Sequence, residues 1–546
     1  MTLRTTTARL LLFAGALVAL LLLAELALWV SGRVPDPGEF RFRRALTATA
    51  NDPGGRYRRH PTRFYELAPH FHANEHYLGR DATGEWPFRG RPPEPAPPGL
   101  RRVVLVGDSC VYGASLPACD MLATQLAAAL AERGLPPDKV AVISMGVPGY
   151  STLQMALLLD EALALRPDAI VLYPAAWNDQ APALRGPDSA LLASLAHPSL
   201  VEWLADHSRL AAALVHVGSD TPLQAVIDGW EKGRPPLGWR VPADEVGPNV
   251  ARMLARCADS GVPAVVIAPP HPEKTMAEHP RTAQDAAAVL AAARQAGVPA
   301  LDGQSLFAAG GDLPRCFSDY VHPSPDGIAR LVPPLADALA PLLAAPAETS
   351  AGDDPLRIVD VAPREGSRLG DIELRVTLEG WSRGETLPAV IVGGAPLLGL
   401  FVTGAHEVTG MLMANGARAH DVVVQTTRGC AVLPGAVTLR DPAVRLDPGP
   451  PAVLHVEGGP GDRLRFLVGT ELRAAPQWSN RGASWLANGK PFPQDVTLDA
   501  AGRATLPVPP LPEGRVSLQM LVTPRQAEGS DGSLTCWSDV VELTPP

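Results

Sequence analysis

Ser109, Asp319 and His322 are the side chains whose types and settings suit covalent chemistry. Ser109 closes the run Val103-Val104-Leu105-Val106-Gly107-Asp108-Ser109, where an apolar β-type stretch breaks into a small, polar turn. Roughly two hundred residues later the chain reads Asp319-Tyr320-Val321-His322-Pro323, with a carboxylate and an imidazole three positions apart. A hydroxyl, a base to take its proton and an acid to orient that base are the three groups that serine-based acyl transfer requires. A serine between a strand and helix-like sequence projects its hydroxyl from the turn and can aim its N–H at an oxyanion. Taken singly, these residues have plainer readings. Ser109 suits a helix N-cap, His322 a loop histidine, Asp319 a turn residue, and Asn178 an Asx turn.

The elements that must position these groups begin at Leu100. Strands are predicted at Val103–Val106, Val140–Ile143, Ala169–Tyr173, Ala264–Ile267 and, as a short last one, Ala300–Leu301. Between and after them run helical patterns at Met121–Arg133, Leu153–Leu165, Val250–Ala258, Ala283–Ala296 and Ile328–Leu343. Continuous Val/Ile/Leu runs alternating with helices imply a parallel sheet covered on both faces. Ligand sites in such sheets lie at the carboxyl ends of the strands. Three short segments directly follow predicted strands: Gly107-Asp108-Ser109, Gly146 to Gly149, and Ala175 to Asp179. Residues 180–240 break the alternation and read as an insertion, a candidate lid or substrate-shaping cap.

With the elements in order, a family resemblance is carried by four blocks within residues 100–345. Gly107-Asp108-Ser109, Gly146-Val147-Pro148-Gly149-Tyr150-Ser151-Thr152, Trp177-Asn178-Asp179 and Asp319-Tyr320-Val321-His322 together resemble a GDSL/SGNH-type serine hydrolase. The likeness implies a three-layer α/β/α, flavodoxin-like domain. It implies Ser109 as nucleophile, His322 as general base, Asp319 as its orienting acid, and an oxyanion hole of the Ser109 N–H, the Gly149 N–H and the Asn178 amide, with Gly146 as rival to Gly149. The chain departs from the pattern in having Cys110 and Val111 after Ser109, Ser144 before the glycine block and Ala176 before the asparagine. Trp86-Pro87-Phe88-Arg89-Gly90 and the Pro-rich stretch after it resemble the stalks of membrane-anchored bacterial members.

The flanks set the context. Arg4 and Arg9 precede an apolar run from Leu10 to Val30, interrupted by Glu25. At ~1.5 Å per residue this run just crosses a hydrocarbon core of about 30 Å. Positive charge before it predicts a cytoplasmic N-terminus and an extracytoplasmic remainder, with a cleaved signal peptide as the alternative. The expected plan is a transmembrane anchor or signal at 1–33, a stalk at 34–98, the hydrolase domain at 99–345 and two β-rich domains at 354–442 and 443–546. A small, polar linker at 345–354 precedes the first of these. Ile358-Val359-Asp360-Val361-Ala362-Pro363, Gly366, Gly370, Gly380-Trp381 and Val390-Ile391-Val392-Gly393-Gly394 resemble an IPT/TIG immunoglobulin-like module, which implies a β-sandwich. The last domain looks like β modules of exported bacterial proteins, in a spacer or an adhesive role.

Composition closes off other classes. A net charge of −10 without a basic stripe argues against a nucleic-acid partner. No phosphate-cradling loop and no Cys-x-x-Cys spacing occur, so no cofactor and no metal are expected; His70, His72, His76 and Glu75 cluster with nothing to order them at ligand geometry. The six cysteines leave Cys110–Cys119 and Cys430–Cys536 open as bridges or free thiols. The expected activity is a membrane-anchored, exported esterase acting through an acyl-Ser109 intermediate, with an acylated glycan of the cell envelope as candidate ester. An O-acyltransferase with the same triad and a catalytically idle surface-binding protein are the alternatives.

Overall fold

A computed structural model describes residues 3–31, 57–69, 72–75, 79–82, 86, 88, 96–97, 99–114, 116, 118–174, 177–183, 186–219, 237–344, 356–368, 372–412, 416, 418–440, 443–447, 453–458, 461–479, 482–507, 516–523 and 536–543. The linker expected at 345–354 lies outside these residues, as do His70, His76, Ala176 and Gly370; of His72 and Glu75 the backbone alone is described.

One apolar helix, α1 (Leu3–Ser31), opens the chain. Its stretch Leu11–Ser31 is long and apolar enough to cross a membrane, as a span or a signal sequence. The stretch expected as a stalk contains two hairpins, β1 (Tyr57–His60) with β2 (Phe64–Leu67) and β3 (His72–Glu75) with β4 (Gly79–Ala82). They are too short for their periodicity to stand out in sequence. Phe64, Tyr65 and Leu67 are nevertheless buried.

From β5 (Arg101–Gly107) the chain alternates. In order come the four-residue helix α2 (Ser109–Tyr112), α3 (Leu122–Glu132), β6 (Val140–Gly146), α4 (Thr152–Ala164) and β7 (Ala169–Tyr173). Three helices of the insertion follow: α5 (Asp188–Ala196), α6 (Leu200–His207) and α7 (Arg209–Ser219). Then come α8 (Ala243–Asp259), β8 (Ala264–Ala268), α9 (Glu273–Glu278), α10 (Arg281–Gln295), β9 (Ala300–Asp302), α11 (Gly303–Ala308) and α12 (Pro325–Leu343). Helix α8 starts seven residues before the apolar periodicity, with Asp244 and Glu245 in its first turn; carboxylates there complement the positive end of the helix.

The five strands form one parallel sheet in the order β6-β5-β7-β8-β9. That order reverses direction between β5 and β7, the position at which doubly wound sheets open a crevice at their carboxyl ends. Val103, Leu105, Val171 and Ile267 pack on one face against Leu126 and Leu130 of α3 and Leu331, Leu335 and Leu339 of α12. The residues between them (Val104, Val106, Ile170, Leu172 and Val266) are equally buried on the other face, where α4, α8 and α10 lie. Burial on both faces is why these strands read as continuous apolar runs.

Residues Asn178–Pro242 group with Tyr57–Glu66 and the N-terminal helix as one compact unit; Leu67–Trp177 and everything from Ala243 form the other. Within the first, the two ends of the insertion pair through Ala183 N–H to Gly238 O and Arg240 N–H to Ala181 O. A buried ion pair, Arg240 to Asp188 at 2.9 Å, closes its base.

Beyond α12 the chain is β-rich. β10 (Arg357–Ala362), β12 (Ile372–Glu379), β16 (Glu407–Leu412) and β15 (Leu398–Val402) make one sheet. β11 (Glu365–Ser367), β18 (Gly429–Arg440), β17 (Ala419–Thr426), β13 (Ala389–Val392) and β14 (Ala395–Pro396) make another. Alternation in β12 sends Leu374, Val376 and Leu378 into a shared core with Val422, Val424 and Trp381. A further antiparallel region, β19 to β27 (from Ala443 to Leu543), has its own core around Leu454, Phe466 and Met520. The first β region is docked on the parallel-sheet domain. Leu398 is buried in the cluster that contains Leu126 and Leu335, and Gln425 Nε2 donates to Pro137 O at 2.6 Å.

Candidate active site

Strand β5 ends at Gly107, paired in register with Gly146 at the end of β6. The absence of a side chain at both lets the α2 turn settle onto the strand ends. A Cβ on Gly146 would stand 2.2 Å from Tyr112 N and 2.8 Å from Asp108 O, and one on Gly107 2.3 Å from Val111 Cγ2. Asp108 caps α2 by accepting from Cys110 N–H at 2.9 Å, and Tyr112 N–H donates back to Asp108 O. Ser144, which replaces the asparagine of the family pattern, reaches from β6 and donates to Val111 O at 3.1 Å. Ser109, first residue of the turn, is thereby held at the carboxyl end of the sheet.

Asp319 and His322 lie on the loop between α11 and α12. It is pinched shut by Ser318 N–H to His322 O and Ser324 N–H to Cys316 O. Asp319 Oδ1 accepts the N–H groups of Val321 and His322, both at 2.8 Å, which leaves Oδ2 to meet His322 Nδ1 at 2.7 Å. An ionised carboxylate only accepts, so the His322 proton sits on Nδ1 and Nε2 becomes the acceptor. The Ser109 hydroxyl stands 2.9 Å from that Nε2. Ser109, His322 and Asp319 form one hydrogen-bonded chain, with Ser109 and His322 both buried.

Asp319 within this chain and Asp108 beside it have opposite electrostatics. Burial alone works to raise the Asp319 carboxyl, but hydrogen bonds and charge from His322, with the two backbone N–H groups, outweigh it and hold Asp319 below its ordinary value. At Asp108 burial prevails and pushes the carboxyl up to about 6 against the pull of Cys110 N–H and the His322 ring. The Cys110 thiol is pushed well up by burial, with Asp108 and Asp319 adding to the effect. It stays a neutral, packed thiol. Cys110, Cys119, Cys257, Cys316 and Cys430 are all free, so a Cys110–Cys119 bridge is not formed.

The expected oxyanion donors fall on two different loops. Gly149 adopts φ +82°, which a side chain would strain. Its loop is tied to β5 by Val147 N–H to Gly107 O and leads into α4, capped by Ser151 and Gln154. Gly146, the rival, lies under the α2 turn. Asn178 is buried and opens the 3-10 turn Asn178–Gln180 after β7.

An aromatic group borders the Asp319–His322 loop and was not singled out in sequence. The Trp177 ring centroid lies 5.2 Å from Tyr320, 5.0 Å from His279 and 6.3 Å from His271. Thr275 Oγ1 donates to Tyr320 O at 2.8 Å and ties the group to α9. His271 is buried, its ring nitrogens have no partner among the described residues, and burial lowers it to about 4, so it is neutral. Its signal was positional: His271 follows β8 by three residues, at the carboxyl end of a strand. Tyr320 is 45% exposed, Trp177 partly so. Among the described residues no His/Cys/Asp/Glu group could hold a metal ion.

Residues 105–330 match the family described as GDSL-like Lipase/Acylhydrolase. A search of curated proteins gives no match. Solved structures similar to this chain include a lipase/acylhydrolase from Enterococcus faecalis, at 17% identity and TM-score 0.31 over 46% of this chain and 100% of that one. Others are a GDSL-like lipase from Bacteroides thetaiotaomicron (14% identity, TM-score 0.26, 43% and 87% covered) and an acetyl xylan esterase from Geobacillus stearothermophilus (14%, 0.29, 46% and 99%).

Proposed function

We propose, for a chain whose residues 105–330 belong to the GDSL-like lipase/acylhydrolase family and which is therefore a serine hydrolase of ester bonds, that Ser109 is the nucleophile and the ester a carbohydrate O-acyl group. The observation that carries the assignment is the hydrogen-bonded chain from Asp319 Oδ2 through His322 to Ser109 Oγ, at 2.7 and 2.9 Å. Ser109 Oγ attacks the ester carbonyl carbon while His322 Nε2 takes its proton. Asp319 stabilises the imidazolium, and His322 returns the proton to the departing alkoxide. Water then cleaves the acyl-Ser109 bond by the same route in reverse. The oxyanion is assigned to the Ser109 N–H, the Gly149 N–H and the Asn178 amide.

Support for a sugar ester comes from Trp177 and Tyr320, aromatic faces of the kind on which sugar rings stack, beside the loop that carries His322. In this reading α1 anchors the chain, and Arg4 and Arg9 keep its first residues cytoplasmic, so that the hydrolase and β domains lie outside the membrane. Fluorophosphonate labelling of the full chain tests nucleophile activation without knowledge of the substrate. Labelling that Ser109→Ala abolishes, together with loss of short p-nitrophenyl ester hydrolysis, is expected. Full hydrolysis by Ser109→Ala overturns the assignment. Trp177→Ala is expected to raise KM for an O-acetylated polysaccharide while leaving short p-nitrophenyl esters unaffected; equal losses on both substrates remove the sugar ester.

A further inference from the structure

Glu25 is a carboxylate inside the apolar stretch of α1, and it has a partner. Ser208 Oγ donates to Glu25 Oε2 at 2.7 Å, and the Arg209 and Leu210 N–H groups donate to the same carboxylate at 2.6 and 2.9 Å. These amides belong to the first turn of α7, where the helix itself supplies no acceptor, so Glu25 caps that helix from another element. The half-covered residues of α1 are Ala24, Glu25 and Leu28, one face of the helix. The rest of its apolar stretch is exposed, for example Leu20 at 66%.

Helix α6, joined to α7 at Ser208, carries an apolar stripe that is exposed among the described residues and ends at His207, whose ring stacks on Trp203 at 4.5 Å. Leu200 (72%), Val201 (58%), Trp203 (48%) and Leu204 (43%) are exposed, whereas Ala205 on the other side is buried against Ala212 of α7. Glu202 and Asp206 lie on the side away from the stripe, as the helical period requires.

We infer that α6 and α7 form an amphipathic hairpin seated in the outer interfacial layer of the bilayer, beside a retained α1. The inference rests on the reading of α1 as a membrane anchor. Six residues separate Glu25 from Ser31 at the end of the span, which at ~1.5 Å per residue places the carboxylate about 9 Å inside that end. The first turn of α7 must sit at the same depth, and so must the C-terminal end of α6. An apolar stripe at that depth meets acyl chains, and Trp203 has the amphipathic ring that favours the headgroup boundary. Retention of α1 follows from the same contact. Removal of Glu25 with a signal peptide strips the α7 amides of their acceptor.

The test uses the full chain in phosphatidylcholine vesicles containing a phosphatidylcholine with an acyl-chain diazirine, irradiated and read by peptide mass spectrometry. Adducts are expected in residues 3–31 and in residues 200–214, roughly tenfold above those in α10 of the hydrolase domain. The combined substitutions Leu200→Asp, Trp203→Asp and Leu204→Asp are expected to cut adducts in 200–214 about tenfold, with α1 labelling and ester hydrolysis retained. Adducts in α1 with only α10-level labelling in 200–214 overturn the hairpin placement. Protein–protein cross-links through 200–214 do so too, and assign the stripe to a second copy or another protein. No adducts in α1 overturn the anchor reading itself. Glu25→Leu is expected to speed deuterium exchange at the Arg209 and Leu210 amides roughly tenfold, and unchanged exchange overturns the capping contact.

Discussion

His322 Nε2 accepts the Ser109 hydroxyl at 2.9 Å across a sequence separation of 213 residues, while its other nitrogen meets Asp319 at 2.7 Å. Asp319→Asn keeps the shape but lets the amide favour the wrong imidazole tautomer, so kcat is expected to fall by up to ~10⁴-fold with KM little changed. A loss below tenfold removes Asp319 from the orienting role. Since the carboxyl is held below its usual 3.8, its contribution to stability is full above about pH 4 and fades as pH falls further.

Asp108 has the reverse sign. Its carboxyl is ionised above 3.8 in the unfolded chain but only above about 6 when folded. Stability is therefore lost as pH rises from about 4 through 6, by an amount on the order of 3 kcal/mol. Asp108→Asn retains an oxygen to accept from Cys110 N–H and removes the buried charge. Denaturant unfolding is expected to show the variant stabilised at about pH 8 and not at about pH 4. Equal effects at both pH values contradict this account.

Gly146→Ala tests the floor of the nucleophile turn. The new methyl meets backbone atoms, Tyr112 N at 2.2 Å and Val111 C at 2.7 Å, which cannot swing aside as a flexible side chain does. A displacement of about 1 Å in α2 is expected to lower kcat and the rate of fluorophosphonate labelling roughly a hundredfold. Wild-type labelling by a folded variant rules out this packing role.

Leu398 belongs by sequence to the β region but is buried in the core that includes Leu126 and Leu335. Leu398→Ala is expected to destabilise the hydrolase domain itself, by about 2–5 kcal/mol, as judged by the denaturant midpoint for loss of esterase activity. An unchanged midpoint means the contact is incidental and the β region a detachable spacer.

The order and type of the elements around the site were legible in sequence because they are set locally. Strands buried on both faces read as Val/Ile/Leu runs, and β12 announced its core face by alternation at Leu374, Val376 and Leu378. The Asp319–His322 spacing was likewise readable, since both groups sit on one short loop whose hydrogen bonds are local. The tertiary structure alone decided the rest. Sheet order β6-β5-β7-β8-β9 sets the β5 end beside the β7 end. Closing helix α12 carries the loop across to Ser109. Gly146 proved to be a packing surface because the atoms it touches come from another loop. Glu25 interrupts the apolar run in sequence, but its partner in α7 is not legible in either segment, since the two are 183 to 185 residues apart. Periodicity records what one segment buries. Which distant segment it meets is settled only when the chain closes.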